Sequence, residues 1–157
     1  MNATDATDAT SERSNRRESP VTRVVVGVDG SESSLEALRQ AARFAQLLNA
    51  PLRSVTLWTF VVYEAMPISW DPERDARRIA EQAAKAVFGD EWPERFEIAT
   101  RSGPAALGLI EESNSAQLLV VGSRGHGGFA GLLLGSVSAQ CAEHAKCPVL
   151  VVHAPKN

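Results

Sequence analysis

Residues 117–138 read QLLVVGSRGHGGFAGLLLGSVS, and the order of their parts decides the fold class. Gln117–Val121 is a short, nearly unbroken aliphatic run of the kind that forms a strand buried on both faces. It leads directly into Gly122-Ser123-Arg124-Gly125, and after nine further residues Gly135-Ser136 stand at the mouth of a helix expected over about Ser136–Ala145. Lys146 follows, where the partial negative charge of a helix C-terminus favours a cation, and Pro148 introduces a last strand, Val149–His153. Glycines let backbone N–H groups approach an anion with no Cβ in the way, and a helix N-terminus adds unpaired donors and a positive partial charge. Ser136 would add a hydroxyl at the same point. On glycine content alone, a loop that binds nothing explains the stretch equally well.

Working outward, the same strand-then-helix alternation recurs upstream. Arg23–Val28 is a β-branched run that stops at Asp29-Gly30. Ser33, three residues before Glu36, has capping-box spacing, and Leu35, Leu38, Ala42, Ala45 and Leu48 recur at helical intervals, which predicts a helix over about Ser33–Asn49. Arg53–Val62 (RSVTLWTFVV) reads as a second strand after Pro51. Asp71-Pro72-Glu73 has the order of an N-cap, a first-position proline and a first-turn acid, so a helix should span about Pro72–Phe88 and stop at Gly89. Phe96–Thr100 is a third strand. Gly103-Pro104 opens a third helix that ends near Asn114, with Leu107 and Ile110 as its expected inward face. Tyr63–Trp70 is the one long irregular connection. Such alternation implies right-handed crossovers and a single doubly wound α/β domain: a five-stranded parallel sheet, Rossmann-like, with helices on both faces.

The 157 residues, 44% hydrophobic and 22% charged, suit one domain with one sizeable core. The expected domain covers residues 21–154, flanked by a disordered tail over 1–20 and a C-terminal tail over 155–157. Met1–Pro20 (MNATDATDATSERSNRRESP) has almost no large apolar side chain with which to offset its ordering entropy. A formal charge of −3 gives no electrostatic footprint for nucleic acid. The apolar runs are far shorter than the roughly 20 residues a membrane span needs. Cys141 and Cys147 have neither zinc nor redox spacing and read as small apolar residues. The opening residues lack the order of a secretory signal, and the expected compartment is the cytoplasm.

Ligands of open parallel sheets sit beyond the carboxyl ends of the strands, where the strand order reverses. Asp29 and the glycine loop both fall at such ends, although a carboxylate beside a helix entrance also serves as a plain structural cap. Two familiar phosphate loops do not fit. A Walker A loop needs a lysine, and none stands between Arg124 and Ala145; the dinucleotide fingerprint needs three spaced glycines after the first strand, where only Gly27 and Gly30 occur.

What the letters do contain is G-x2-G-x9-G-[ST], complete as Gly122, Gly125, Gly135 and Ser136, between a hydrophobic strand and a helix. With VVVGVDGSESSLEAL at the start and CPVLVV at the end, the chain resembles the universal stress protein family, in its small single-domain, ATP-binding form, over about residues 21–154. The resemblance implies the strand order 3-2-1-4-5, with Asp29 and the glycine loop on adjacent strands. It implies that Gly27, Val28 and Asp29 line the adenosine side and that Leu57 offers backbone groups to the adenine edge. Gly122 and Gly125 would pass close to the ribose and first phosphates, and Gly135 and Ser136 would cap the outer ones. Arg124 and His126 would add charge, and Val137 and Ser138 continue the helix start, with Ser138 a second hydroxyl. Many relatives carry an acid just before the fourth strand, where this chain has Ala116-Gln117, at the opposite end of the sheet from the loop.

The expected ligand is therefore ATP, carrying its own Mg²⁺, bound by a stress-response regulator or sensor. His126, His144 and His153 are scattered, and no compact set of acids would hold a metal for phosphoryl transfer, so binding is expected rather than turnover, with at most slow hydrolysis. The alternatives are a nucleotide-free dimeric interaction module of the same family, and a nucleotidyl-transferring or ATP-pyrophosphatase enzyme. The latter would carry H-x-G-H or S-G-G-x-D-S near the first strand, where Gly30-Ser31-Glu32-Ser33 is the nearest approach. A last strand at the sheet edge leaves backbone groups that a second copy would satisfy, so a homodimer through Val149–His153 is expected. Phe129 and Leu132–Leu134 are apolar for a phosphate cradle and read as packing at the helix entrance.

Overall fold

Three consecutive valines, Val24, Val25 and Val26, are fully buried, because the strand that carries them lies at the centre of the sheet with helices above and below. The computed structural model describes residues 22–60, 69–126, 131 and 133–156. Its elements are β1 (Arg23–Gly27), α1 (Glu32–Leu47), β2 (Leu52–Trp58), α2 (Pro72–Phe88), β3 (Phe96–Ser102), α3 (Ala105–Glu112), a 3₁₀ turn (Ser113–Ser115), β4 (Ala116–Gly122), α4 (Ser136–His144) and β5 (Val149–Val152). All four strand pairings are parallel, and the order is β3-β2-β1-β4-β5. This is the doubly wound, Rossmann-like α/β fold, with β1 and β4 adjacent at the point where the chain reverses its direction of growth. The tail over 1–20, residues 61–68 (the end of the expected second strand and the connection up to residue 68), Phe129, Leu132 and Asn157 lie outside the described residues.

Each face has its own core. Val24, Val26 and Val28 pack under α1 against Ala37, Leu38, Ala41 and Ala45, with Ala83 of α2 in the same cluster. On the other face Val25, Val55, Ala99, Leu119 and Val121 meet Leu109 of α3 and Cys141 of α4. Cys141 is fully buried, and desolvation pushes its thiol up to about 11, so it behaves as a small apolar residue; Cys147 is half-buried, and both are free.

Helix α2 has the predicted limits because its punctuation is local. The Asp71 carboxylate accepts the Arg74 N–H at 3.1 Å, Pro72 occupies the first position, and Gly89 ends the helix at a φ of 69°. Two expectations are corrected. Helix α1 is capped by Ser31, whose hydroxyl accepts the Ser34 N–H, and not by Ser33, whose hydroxyl faces another loop. On α3 the buried side chains are Ala106 and Leu109, and Ile110 packs partly buried against the same core as expected, while Leu107 is 53% exposed. Small residues let α3 lie close to β2: a Cβ on Gly108 would strike the side chain of Leu57.

Beyond the apolar part of the α3 face runs a chain of alternating charges. Glu97 pairs with Arg23 (3.5 Å) and Arg53 (2.5 Å), Arg53 Nε lies 3.1 Å from Glu112, and Arg101 joins Glu112 (3.0 Å) to Glu111 (2.6 Å). The Glu112 side chain is only 10% exposed, so its charge is poorly hydrated and depends on the two arginines. Glu112→Gln should cost about 1–3 kcal/mol in urea unfolding, whereas Glu111→Gln, at a half-exposed site, should cost less than about 1 kcal/mol.

Candidate functional site

Beyond the carboxyl ends of β1 and β4 lies a cavity of about 510 Å³. The first turn after β1 forms one wall, through Gly27, Val28 and Asp29, and the β4 loop forms another, through Gly122, Arg124, Gly125 and His126. The entrance of α4 supplies Gly135, Ser136, Val137 and Ser138, and Leu57 closes the β2 side. Every residue singled out in the sequence therefore borders one space. Residues that no motif in the sequence marks border it too: Ser31, Ser34, Thr56, Ile79, Ala105 and Leu109. Ile79 interrupts the alanines of α2 at helical spacing, and Ser31 follows Asp29 in an Asx-turn pattern; both signals were present in the letters.

Asp29 has two jobs. Its Oδ1 accepts the Ser31 N–H at 2.9 Å and the Ser31 hydroxyl at 2.5 Å, which fixes the turn into α1. Its Oδ2 faces Gly125, where a Cβ would come within 2.7 Å. The carboxylate is thus both a structural brace and a wall of the cavity.

Helix α4 begins without any side-chain cap, in contrast to α1 and α2. Its first intrahelical bond runs from the Ala139 N–H to the Gly135 carbonyl, so the N–H groups of Ser136, Val137 and Ser138 donate to no described residue, and they border the cavity. Three open donors and the positive end of the helix suit an anion. The two ends of the loop are tied together: the Gly135 N–H donates to the Ser123 carbonyl at 2.7 Å, and the buried Ser138 hydroxyl lies 3.1 Å from that carbonyl and 3.0 Å from Gly135 O. Its single proton is spent on closing the loop, which leaves the Ser136 hydroxyl as the one at the α4 entrance free to donate.

At the β2 end the donors come from the backbone. Residues of β2 point their N–H and C=O alternately to the two neighbouring strands; Val55 O accepts from Val28 on the β1 side and Trp58 O from Gly103 on the β3 side. By this alternation Leu57 faces the β1 side, beyond the point where β1 has ended, so its amide and carbonyl open into the cavity. The Thr56 hydroxyl is consumed by Val28 O at 2.8 Å. The surrounding side chains, Val55, Leu57, Ile79 and Leu109, are apolar. A flat heterocycle with a donor–acceptor edge suits this end, and an anion suits the other.

Leu134 borders the cavity, while Leu133 is 87% exposed, so the aliphatic run does not act as one packing unit. Among the described residues, no group of three His, Cys, Asp or Glu side chains could hold a metal ion, and no helix is long and apolar enough to cross a membrane.

A 3-2-1-4-5 sheet with a ligand-sized cavity at its switch point defines a small doubly wound α/β domain. The chain belongs to the universal stress protein family, whose pattern matches residues 20–153. It is 38% identical over 140 residues to a universal stress protein of Mycolicibacterium smegmatis, covering 83% of this chain and 47% of the relative. With a universal stress protein of Mycobacterium tuberculosis it shares 39% over 136 residues, 82% of this chain and 44% of the relative. The chain thus spans about half the length of these relatives. Among solved structures, a universal stress protein in complex with cAMP is 33% identical, with a TM-score of 0.63, and the match covers 87% of this chain and all of that one.

Proposed function

We propose that the chain binds an adenine nucleotide, with ATP as the expected ligand, and acts in the cytoplasm as a stress-response regulator or sensor with at most slow hydrolysis. The observation that carries this reading is the convergence on one cavity of the uncapped α4 entrance and the open backbone groups of Leu57. The adenine edge would meet Leu57, the ribose would lie near Asp29 and the β1 turn, and the phosphates would run toward Gly125, Gly135 and Ser136, with Arg124 and His126 at the mouth. The cAMP complex of a 33% identical relative supports an adenine nucleotide as the ligand class. One carboxylate oxygen and several hydroxyls suit a Mg²⁺ that arrives on the nucleotide and keeps phosphate and water ligands. We further propose that β5, at the edge of the sheet, pairs with β5 of a second copy.

Denaturing the purified chain and chromatographing the released small molecules, beside calorimetric titration of Mg-ATP, AMP and cAMP, tests the ligand. Co-purified adenine nucleotide or saturable binding in the micromolar range is expected; no release and no heat up to millimolar ATP would leave a nucleotide-free module. Light scattering at micromolar concentration should return twice the 16.8 kDa of one chain.

A further inference from the structure

Ser33 stands in the first turn of α1, far in sequence from the glycine loop, yet its hydroxyl donates to the Arg124 carbonyl. The residue is 5% exposed, and α1 sits so close to β4 that a Cβ on Gly122 would fall 2.5 Å from Ser33 Oγ. Of the two serine hydroxyls beside that carbonyl, Ser31 lies at 3.4 Å and has given its proton to Asp29 at 2.5 Å. Ser33 is therefore the serine that holds it.

A trans peptide is planar, and its C=O and N–H point in opposite directions. Holding the Arg124 carbonyl toward α1 turns the Gly125 N–H the other way. That nitrogen lies 3.8 Å from where a Cβ on Gly135 would stand, so it is on the α4 side, it borders the cavity, and its N–H donates to no described residue. Glycine at 125 leaves the peptide free to turn over, since no Cβ opposes either orientation.

We propose that Ser33 is a positioning residue of the nucleotide site: by holding the Arg124 carbonyl it locks the 124–125 peptide with the Gly125 N–H presented to the phosphates. The inference rests on the nucleotide-binding reading above. Ser33→Ala removes one oxygen from a helix position where alanine is well tolerated. It should weaken Mg-ATP binding about tenfold, the order expected when a hydrogen bond that orients a donor is lost.

The test is calorimetric titration of Mg-ATP into the full chain, Ser33→Ala and Ser113→Ala, with urea unfolding and the ¹⁵N–¹H resonance of Gly125 followed for each. Ser113 is as buried as Ser33, and its hydroxyl also serves backbone, accepting the Lys146 N–H at 2.8 Å, but it lies away from the cavity. The expected result is weakened binding for Ser33→Ala, unchanged binding for Ser113→Ala at a similar loss of stability, and a nucleotide-induced Gly125 shift that is diminished in Ser33→Ala alone. Equal binding by Ser33→Ala and the natural chain, or equal weakening by both serine variants, would overturn the positioning role and leave nucleotide binding standing. A natural chain that binds no adenine nucleotide would overturn both, and that outcome is read before any variant is made.

Discussion

Gly122→Ala should destabilise the fold by about 3 kcal/mol and abolish measurable nucleotide binding. The expected cost comes from backbone rather than from a movable side chain. A Cβ at this position would lie 2.8 Å from the Ser33 carbonyl carbon and 2.9 Å from the Ser34 nitrogen, as well as 2.5 Å from Ser33 Oγ. Those atoms belong to the first turn of α1, which packs on β1 and β4 through fully buried Ala37, Leu38 and Ala41. Relief would require the helix to lift from the sheet. The same shift would carry Ser33 away from the Arg124 carbonyl and spoil the loop. Gly108→Ala is the control, because the atoms nearest to its Cβ all belong to the Leu57 side chain, which can swing aside at smaller cost than backbone. Urea midpoints of the two variants, measured side by side, should differ in that order. A Gly122→Ala protein within about 1 kcal/mol of the natural chain would show that α1 and β4 are less tightly joined than these distances require.

This explanation of Gly122 differs from the one its spacing suggests. The resemblance places the glycine near ribose and phosphates, yet the space its missing side chain leaves is occupied by the chain's own α1. The spacing of Gly122, Gly125, Gly135 and Ser136 brings the right residues to one cavity, but a spacing does not say which neighbour forbids a Cβ. Elements with strong local punctuation were legible to the residue, as Asp71-Pro72 and Gly89 show for α2. Ser31 and Ser33 could not be told apart by pattern, because each precedes further helix formers at an acceptable distance. Asp29, which grips Ser31, and Gly122, which draws Ser33 to another loop, decide between them through tertiary contacts. Helix α3 is two turns long, too short for periodicity to fix its frame, so spacing points to Leu107 where the fold buries Ala106, Gly108 and Leu109, with Gly108 against Leu57 of β2. The alternation of β2, which opens Leu57 to the cavity, follows from pairing on both sides and has no trace in a single strand's letters.

Gly125→Ala should leave the protein folded and weaken nucleotide binding by about a hundredfold, an effect opposite in balance to that at Gly122. The added Cβ would lie 2.7 Å from Asp29 Oδ2, the end of a side chain that can rotate. Rotation, however, would break the bonds from the Ser31 N–H and hydroxyl to Oδ1, a loss of about 1–2 kcal/mol that urea unfolding would register. For a bound nucleotide the consequences compound. The methyl group would stand between the Asp29 wall and the Gly125 N–H, the carboxylate would be displaced into the cavity, and both the ribose and phosphate ends of the proposed pose would be disturbed. Two to three lost or misaligned contacts of about 1 kcal/mol each correspond to roughly a hundredfold in affinity. The double variant Asp29→Ala, Gly125→Ala separates the steric part from the rest. With the carboxylate gone the methyl meets nothing, so adding it to Asp29→Ala should cost less than about 0.5 kcal/mol of stability, a coupling typical of residues in direct contact. Binding should remain weak in the double variant, since neither the carboxylate nor the unobstructed amide is restored. Stability losses that simply added would mean that Asp29 does not hold its carboxylate against Gly125, and the brace-and-wall arrangement of this site would have to be abandoned.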